Sequence, residues 1–285
     1  MATHENALMF HAIPKPVGDM ATQDAADSLV AAGTRRVAVP NDLVVQGLRK
    51  GYEGGAPVLA GIDFTVPTGQ SVALIGANGA GKSTLLRCCM HLIPPDEGVV
   101  HLLGHNVAHL KPKALRQLRA KVGFVFQKHN LVPRLSALSN VLHGAIARSS
   151  FARSWSHSWA TAALRDEALA CLARVGLSHI AGRRVDKLSG GQSQRVAIAR
   201  ALMQGPRMMV ADEPVASLDP SSGEEVMRLF SALVREEGLT MLFTSHDLSH
   251  AIKYSDRVIA LRHGVIALDA PSSELSVATL RALYD

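Results

Sequence analysis

Apolar residues follow two different rhythms along this chain. Short unbroken runs recur at residues 71–75 (SVALI), 122–126 (VGFVF), 208–211 (MMVA), 241–244 (MLFT) and 258–261 (VIAL). Runs of four or five apolar residues between turn formers predict strands covered on both faces, as in a parallel sheet. Between them lie stretches with helical spacing, among them residues 83–90 after a Gly-rich turn and residues from about 193 to 203, which stop at Gly205-Pro206. The section before residue 70 reads differently. Leu43-Val44-Val45 and residues 58–66 are strands broken at Gly54-Gly55 and Pro67-Thr68-Gly69, which predicts antiparallel β. The later alternation of strand and helix predicts an α/β fold with a mostly parallel sheet. Residues 1–40, rich in Ala, Asp, Thr and Gly with little apolar periodicity, are expected to form a mobile extension, with the folded domain starting near Asp42.

Composition narrows the classes. With 285 residues, 47% of them hydrophobic, the chain can bury a large core, which sets disordered and fibrous classes aside. The net charge of +6 is spread without a long basic run and aromatic residues make up 4%, so stacking platforms for bases are few and no nucleic-acid partner is expected. Such a surface suits weak attraction to an anionic membrane face. Cys88, Cys89 and Cys171 form no CxxC pair and no zinc-type spacing, so free thiols in a reducing compartment are expected. No apolar run approaches the roughly 18 residues that cross a bilayer, and residues 7–13 run into Pro14 without a cleavage pattern. The expectation is a chain that neither spans a membrane nor is secreted.

The sharpest chemical signal is Gly76-Ala77-Asn78-Gly79-Ala80-Gly81-Lys82-Ser83, followed by Thr84, between a predicted strand and a predicted helix. Glycines let backbone N–H groups turn inward around phosphates, and a helix N-terminus adds partial positive charge. Lys82 is placed to reach β and γ phosphates, and the Ser83 hydroxyl to ligate magnesium. Strand 208–211 ends in Asp212-Glu213, where one carboxylate can hold magnesium and the next can polarise an attacking water. Leu188-Ser189-Gly190-Gly191-Gln192 then opens a helix, a second N-terminus that a phosphate can approach closely. No motif occurs twice, which predicts one nucleotide-binding domain.

Ser189-Gly190-Gly191-Gln192 at the start of a helix, ahead of Asp212, resembles the signature of the ABC ATPases. The resemblance covers residues from about 42 to 265. Gln127 is similar to the family's loop glutamine, which touches magnesium and water; Ser217-Leu218-Asp219 to its interface loop; His246 to its switch histidine; and Tyr52 to the aromatic that stacks on adenine. What it implies is a P-loop NTPase core of ABC ATPase type, with an antiparallel β subdomain and a helical subdomain at about residues 128–187. It implies that each ATP site joins the P-loop of one subunit to the signature of another, with ATP and Mg2+ as cofactors. The catalytic residues would be Glu213, His246 and Gln127, and the metal would be held by Ser83, Gln127 and Asp212.

Two further alternatives share part of this pattern. A soluble ABC protein of DNA repair or translation would carry a long coiled coil or two ATPase domains, and no sustained heptads occur here. A kinase or switch GTPase shares the P-loop but leaves residues 189–192 unexplained. Residues 127–132, 134–136, 140–144 and 211–220 resemble the ATPase subunit of phosphonate importers. That implies a homodimer at the cytoplasmic face of the inner membrane, with integral membrane permease subunits and a separate substrate-binding protein. Thr244-Ser245-His246-Asp247, by contrast, is closer to general importers of phosphate, amino acids or ions, and Ser193 stands where Gln is commoner.

Overall fold

The computed structural model describes residues 40–52, 55–127, 129–148 and 160–283. The extension expected over residues 1–40 lies outside these except for Pro40, as do Gly54 of the first predicted break and Lys128.

Two sheets form the frame. The first is antiparallel, in the order β2-β1-β4-β5, from β1 (Asn41–Lys50), β2 (Leu59–Pro67), β4 (Glu97–Leu102) and β5 (His105–Asn106). The second has six strands in the order β10-β9-β3-β8-β7-β6. Its strands are β3 (Ser71–Gly76), β6 (Val122–Val125), β7 (Met208–Ala211), β8 (Thr240–Ser245), β9 (Arg257–Arg262) and β10 (Val265–Pro271). All pairs in it are parallel except β9 with β10.

The unbroken apolar runs follow from burial of both faces. Along β3, Ala73 and Ile75 face one core while Val72 and Leu74 face the other. Met209 and Ala211 repeat this division against Met208 and Val210 on β7. One face is covered by α1 (Lys82–Cys89) and the antiparallel sheet. The other is covered by α3 (Ala137–Leu142), α4 (Ala162–Arg174), α5 (Gly190–Leu202), α6 (Pro220–Glu236) and α7 (Leu248–Tyr254). The remaining α-helices among the described residues are α2 (Pro112–Arg119) and α8 (Val277–Arg281).

The helix expected from about Ser193 in fact begins at Gly190. Ser189 is its N-cap: the Ser189 Oγ accepts the Gln192 N–H and the Gln192 Oε1 accepts the Ser189 N–H. This capping box offsets the poor helix propensity of two glycines in the first turn. Strands β4, β5 and β10 are additions to the predicted set. β4 and β5 join through Leu103-Gly104, and β9 and β10 through His263-Gly264, each pair at positive φ. Such two-residue turns match the twist of a hairpin, but their first residues lack the Asn or Asp that usually marks them.

Candidate nucleotide site

Two glycines of the phosphate-loop sequence are packed closely against neighbouring strands β9 and β2. A Cβ on Gly76 would stand 2.7 Å from the Leu261 carbonyl oxygen, and Gly81, at φ 100°, leaves only 2.9 Å to the Leu59 side chain. Gly79 has open space about its Cα. A cavity of about 310 Å³ lies beside them, lined by Val58, Asn78, Gly79, Gly81, Lys82, Ser83, Thr84, Gln127 and Glu213. Ala77, Asn78 and Gly79 are exposed on the loop, and Ala80 packs beneath it.

Lys82 is buried. Its Nζ donates to the carbonyls of Gly76 at 2.8 Å and Ala77 at 3.3 Å, and stands 3.6 Å from Glu213 Oε1. A buried ammonium at the N-terminus of α1 makes this end of the cavity electropositive. It suits an anion with several oxygens.

The opposite wall is acidic. Ser83 Oγ donates to Asp212 Oδ1 at 3.0 Å, and Thr244 Oγ1 donates to the same oxygen at 2.9 Å. Thr244 Oγ1 also accepts the Glu213 N–H at 2.7 Å. Glu213 itself sits at φ 47°, a left-handed conformation uncommon outside glycine. Held so, its carboxylate lies between Lys82 on one side and Gln127 Nε2, at 3.3 Å, and His246 Nδ1, at 3.9 Å, on the other. Among the described residues there is no cluster of three or more His, Cys, Asp or Glu that would cage a metal. One hydroxyl and one carboxylate oxygen are a hard-oxygen set, which fits Mg2+ completing its shell with phosphate oxygens and water and does not fit zinc.

The structure therefore brings Lys82, Ser83, Thr84, Gln127, Asp212, Glu213 and His246 together. It does not bring Ser189, Gly190, Gly191 or Gln192 to this cavity, whose lining includes none of them. They stand at the exposed start of α5, where Gly190 lies against Leu218. Asp219 is the N-cap of α6. The Ser222 N–H and the hydroxyls of Ser222 and Ser221 hold its carboxyl well below the usual carboxylate range. Tyr52 is 54% exposed, with its ring centroid 5.8 Å from Lys50 Nζ, and it too is absent from the cavity lining. Thr244 is the member that sequence reasoning missed. Its place at the end of the strand before Ser245-His246 was the available signal.

Residues 59–216 match the family model of the ABC transporters. The chain is 43% identical over 242 residues to a phosphonates import ATP-binding protein of a Synechococcus species, covering 85% of this chain and 90% of that one. It is equally similar to one from Alcaligenes faecalis, over 85% and 87%. Among solved structures, the ATP-binding cassette MJ0796 in a dimeric, post-hydrolysis state with ADP and phosphate superposes with a TM-score of 0.71 at 34% identity, over 81% of this chain and 98% of that one. The P-loop, the paired carboxylates and these likenesses agree: the chain belongs to the ABC transporter family, as one of its ATP-binding cassettes.

Proposed function

We propose that this chain is the ATP-hydrolysing subunit of a phosphonate importer. The observation that carries the reading is identity of 40–43% over 242 residues with phosphonate import ATP-binding proteins, joined to a cavity in which Glu213 faces Lys82, Gln127 and His246. Residues 41–285 act as the ATPase domain, with a helical subdomain at about 128–187, preceded by an extension. Two copies work as a homodimer, peripheral to the cytoplasmic face of the inner membrane, with integral permease subunits and a separate substrate-binding protein. Among the described residues no helix is long and apolar enough to cross a membrane.

In this mechanism the backbone N–H groups of residues 76–84 cradle the phosphates of ATP, and Lys82 faces the β and γ groups. Ser83, Asp212 and Gln127 would hold Mg2+, which supplies charge neutralisation between the phosphates. Glu213 orients the attacking water and takes up its proton. The left-handed backbone and the Thr244 bond fix the direction in which its carboxylate points. His246 contacts the γ phosphate, and Tyr52 stacks on the adenine. Ser189 to Gln192 of a second copy complete the site, since within one chain they stand away from the cavity. Asp219 contributes from the loop that crosses between copies.

The test is growth of a deletion strain on a phosphonate as sole phosphorus source, with uptake of the labelled compound. Loss of both, restored by the intact gene, is expected. Unchanged phosphonate uptake with loss of phosphate, amino-acid or ion uptake would favour the second reading, which Thr244-Ser245-His246-Asp247 supports.

A further inference from the structure

The segment after Gln127 has an unusual local geometry. His129 and Asn130 both adopt left-handed backbone, at φ 53° and 48°. Two consecutive non-glycine residues in that region are strained, so neighbouring structure must hold them. Arg200, in the last turn of α5, does so. Its Nη2 donates to the His129 carbonyl at 2.9 Å and its Nη1 to the Asn130 carbonyl at 2.5 Å. Among the described residues no carboxylate forms an ion pair with this partly buried guanidinium. Its charge is directed at two main-chain oxygens.

The end of α5 is in turn fixed to the helices beside it. Arg148 Nε and Nη2 donate to the Met203 carbonyl at 3.1 and 2.7 Å, and a Cβ on Gly144 would stand 2.2 Å from the Arg200 carbonyl oxygen. Upstream of Gln127 the chain belongs to the sheet instead: Val125 pairs with Ala211, and the Asp212 N–H donates to the Val125 carbonyl at 2.9 Å. Gln127 therefore lies between a segment held by the sheet and a segment held by α5.

We propose that Arg200 is a positioning residue, whose clamp on His129 and Asn130 sets where the Gln127 amide stands relative to Glu213 and passes movement of α5 to it. The opposite end of α5 carries Ser189 to Gln192, so the clamp links that helix start to Gln127 through one rigid element. The inference rests on the reading that Gln127 serves hydrolysis.

The experiment uses the full chain with ATP and magnesium, in a cycle of Arg200→Met, Gln127→Ala and the double variant, with hydrogen exchange followed by mass spectrometry. Arg200→Met should lower kcat about as far as Gln127→Ala does, while KM for ATP moves less than about two-fold because the phosphate cradle is untouched. The double variant should be no slower than Gln127→Ala alone, the non-additivity expected of residues acting through one group. Exchange should quicken over residues 127–132 and stay unchanged over 76–84. Arg200→Lys, able to keep one of the two bonds, should restore part of the rate, and it carries the same cycle where Arg200→Met does not fold. Additive losses, or unchanged exchange over 127–132, would overturn the clamp. Normal turnover in Gln127→Ala would refute the role of Gln127 in hydrolysis, and the exchange result would still decide for or against the clamp.

Discussion

Lys82 and Glu213 face each other across 3.6 Å, and the two should fail in different ways when altered. Lys82→Ala removes the charge proposed to meet the β and γ phosphates. In a thermal melt with ATP and magnesium at about 100 times the dissociation constant, the intact chain should gain roughly 2.7 kcal/mol, and this variant should not. Glu213→Gln keeps the shape and the Lys82 contact distance, so ATP binding should persist while turnover falls by about 100-fold to 10,000-fold. A variant with normal turnover would remove Glu213 from the catalytic role. The three thiols supply a control for folding. Burial raises the Cys88 and Cys171 thiols to about 11 and pushes Cys89 higher still, so none should react with a thiol reagent at pH 8 until the chain unfolds. Of the residues around the cavity, Lys82, Asp212 and Glu213 are legible in the sequence because short local motifs carry them. Thr244 is marked only by its place before Ser245-His246, and Arg200 by nothing local, because each bonds a segment distant along the chain.

At the scale of elements, the strands buried on both faces were readable because burial leaves an unbroken apolar run, as in β3, β7 and β8. β10 was not, since its positions alternate between exposed and half-buried at the sheet edge and its turn is His263-Gly264. α5 starts three residues before the position its apolar spacing predicts, because Gly190 and Gly191 look like a loop until the capping box is seen. That box gives a separable test. Ser189→Ala should destabilise the fold by about 1 kcal/mol through loss of the cap. It should also slow turnover by more than a cap loss elsewhere, such as Thr161→Ala at the start of α4, because Ser189 is proposed to enter the site of a second copy. Equal turnover in the two variants would leave Ser189 a structural cap.

For the molecule as a whole, acid should act in two stages. His91 is pushed below its ordinary range by burial and then by Arg119, and His129 by burial and then by Arg200. Both bind protons more weakly folded than unfolded, so the unfolded chain takes up more protons as pH falls through about 6.5 and stability declines there. A second decline belongs to carboxylates held low in the fold, among them Glu224, lowered to about 2 by hydrogen bonds from Lys253 and Tyr254. Their contribution is present above about 4.5 and is lost as pH falls from there toward about 2. Denaturant titrations from pH 8 to 3 should show both steps, and His129→Phe should flatten the first. An unaltered pH profile in that variant would show that His129 has no part in it.

The order of strands in the six-stranded sheet also has a consequence during synthesis. β3 lies at its centre, yet its neighbours β8 and β9 come near the end of the chain, and the Ser71 N–H is bonded to Asp256, 185 residues later. At ribosomal speeds of about 5–20 residues per second, on the order of ten seconds or more separate the emergence of SVALIG from that of its partners. During that interval an apolar strand with unmet main-chain groups waits in the nascent chain, while β1 and β2 can already pair as a local hairpin. The yield of soluble protein should therefore depend on chaperone supply and growth temperature more than the stability of the finished fold would suggest, as pulse-labelled expression at two temperatures would reveal.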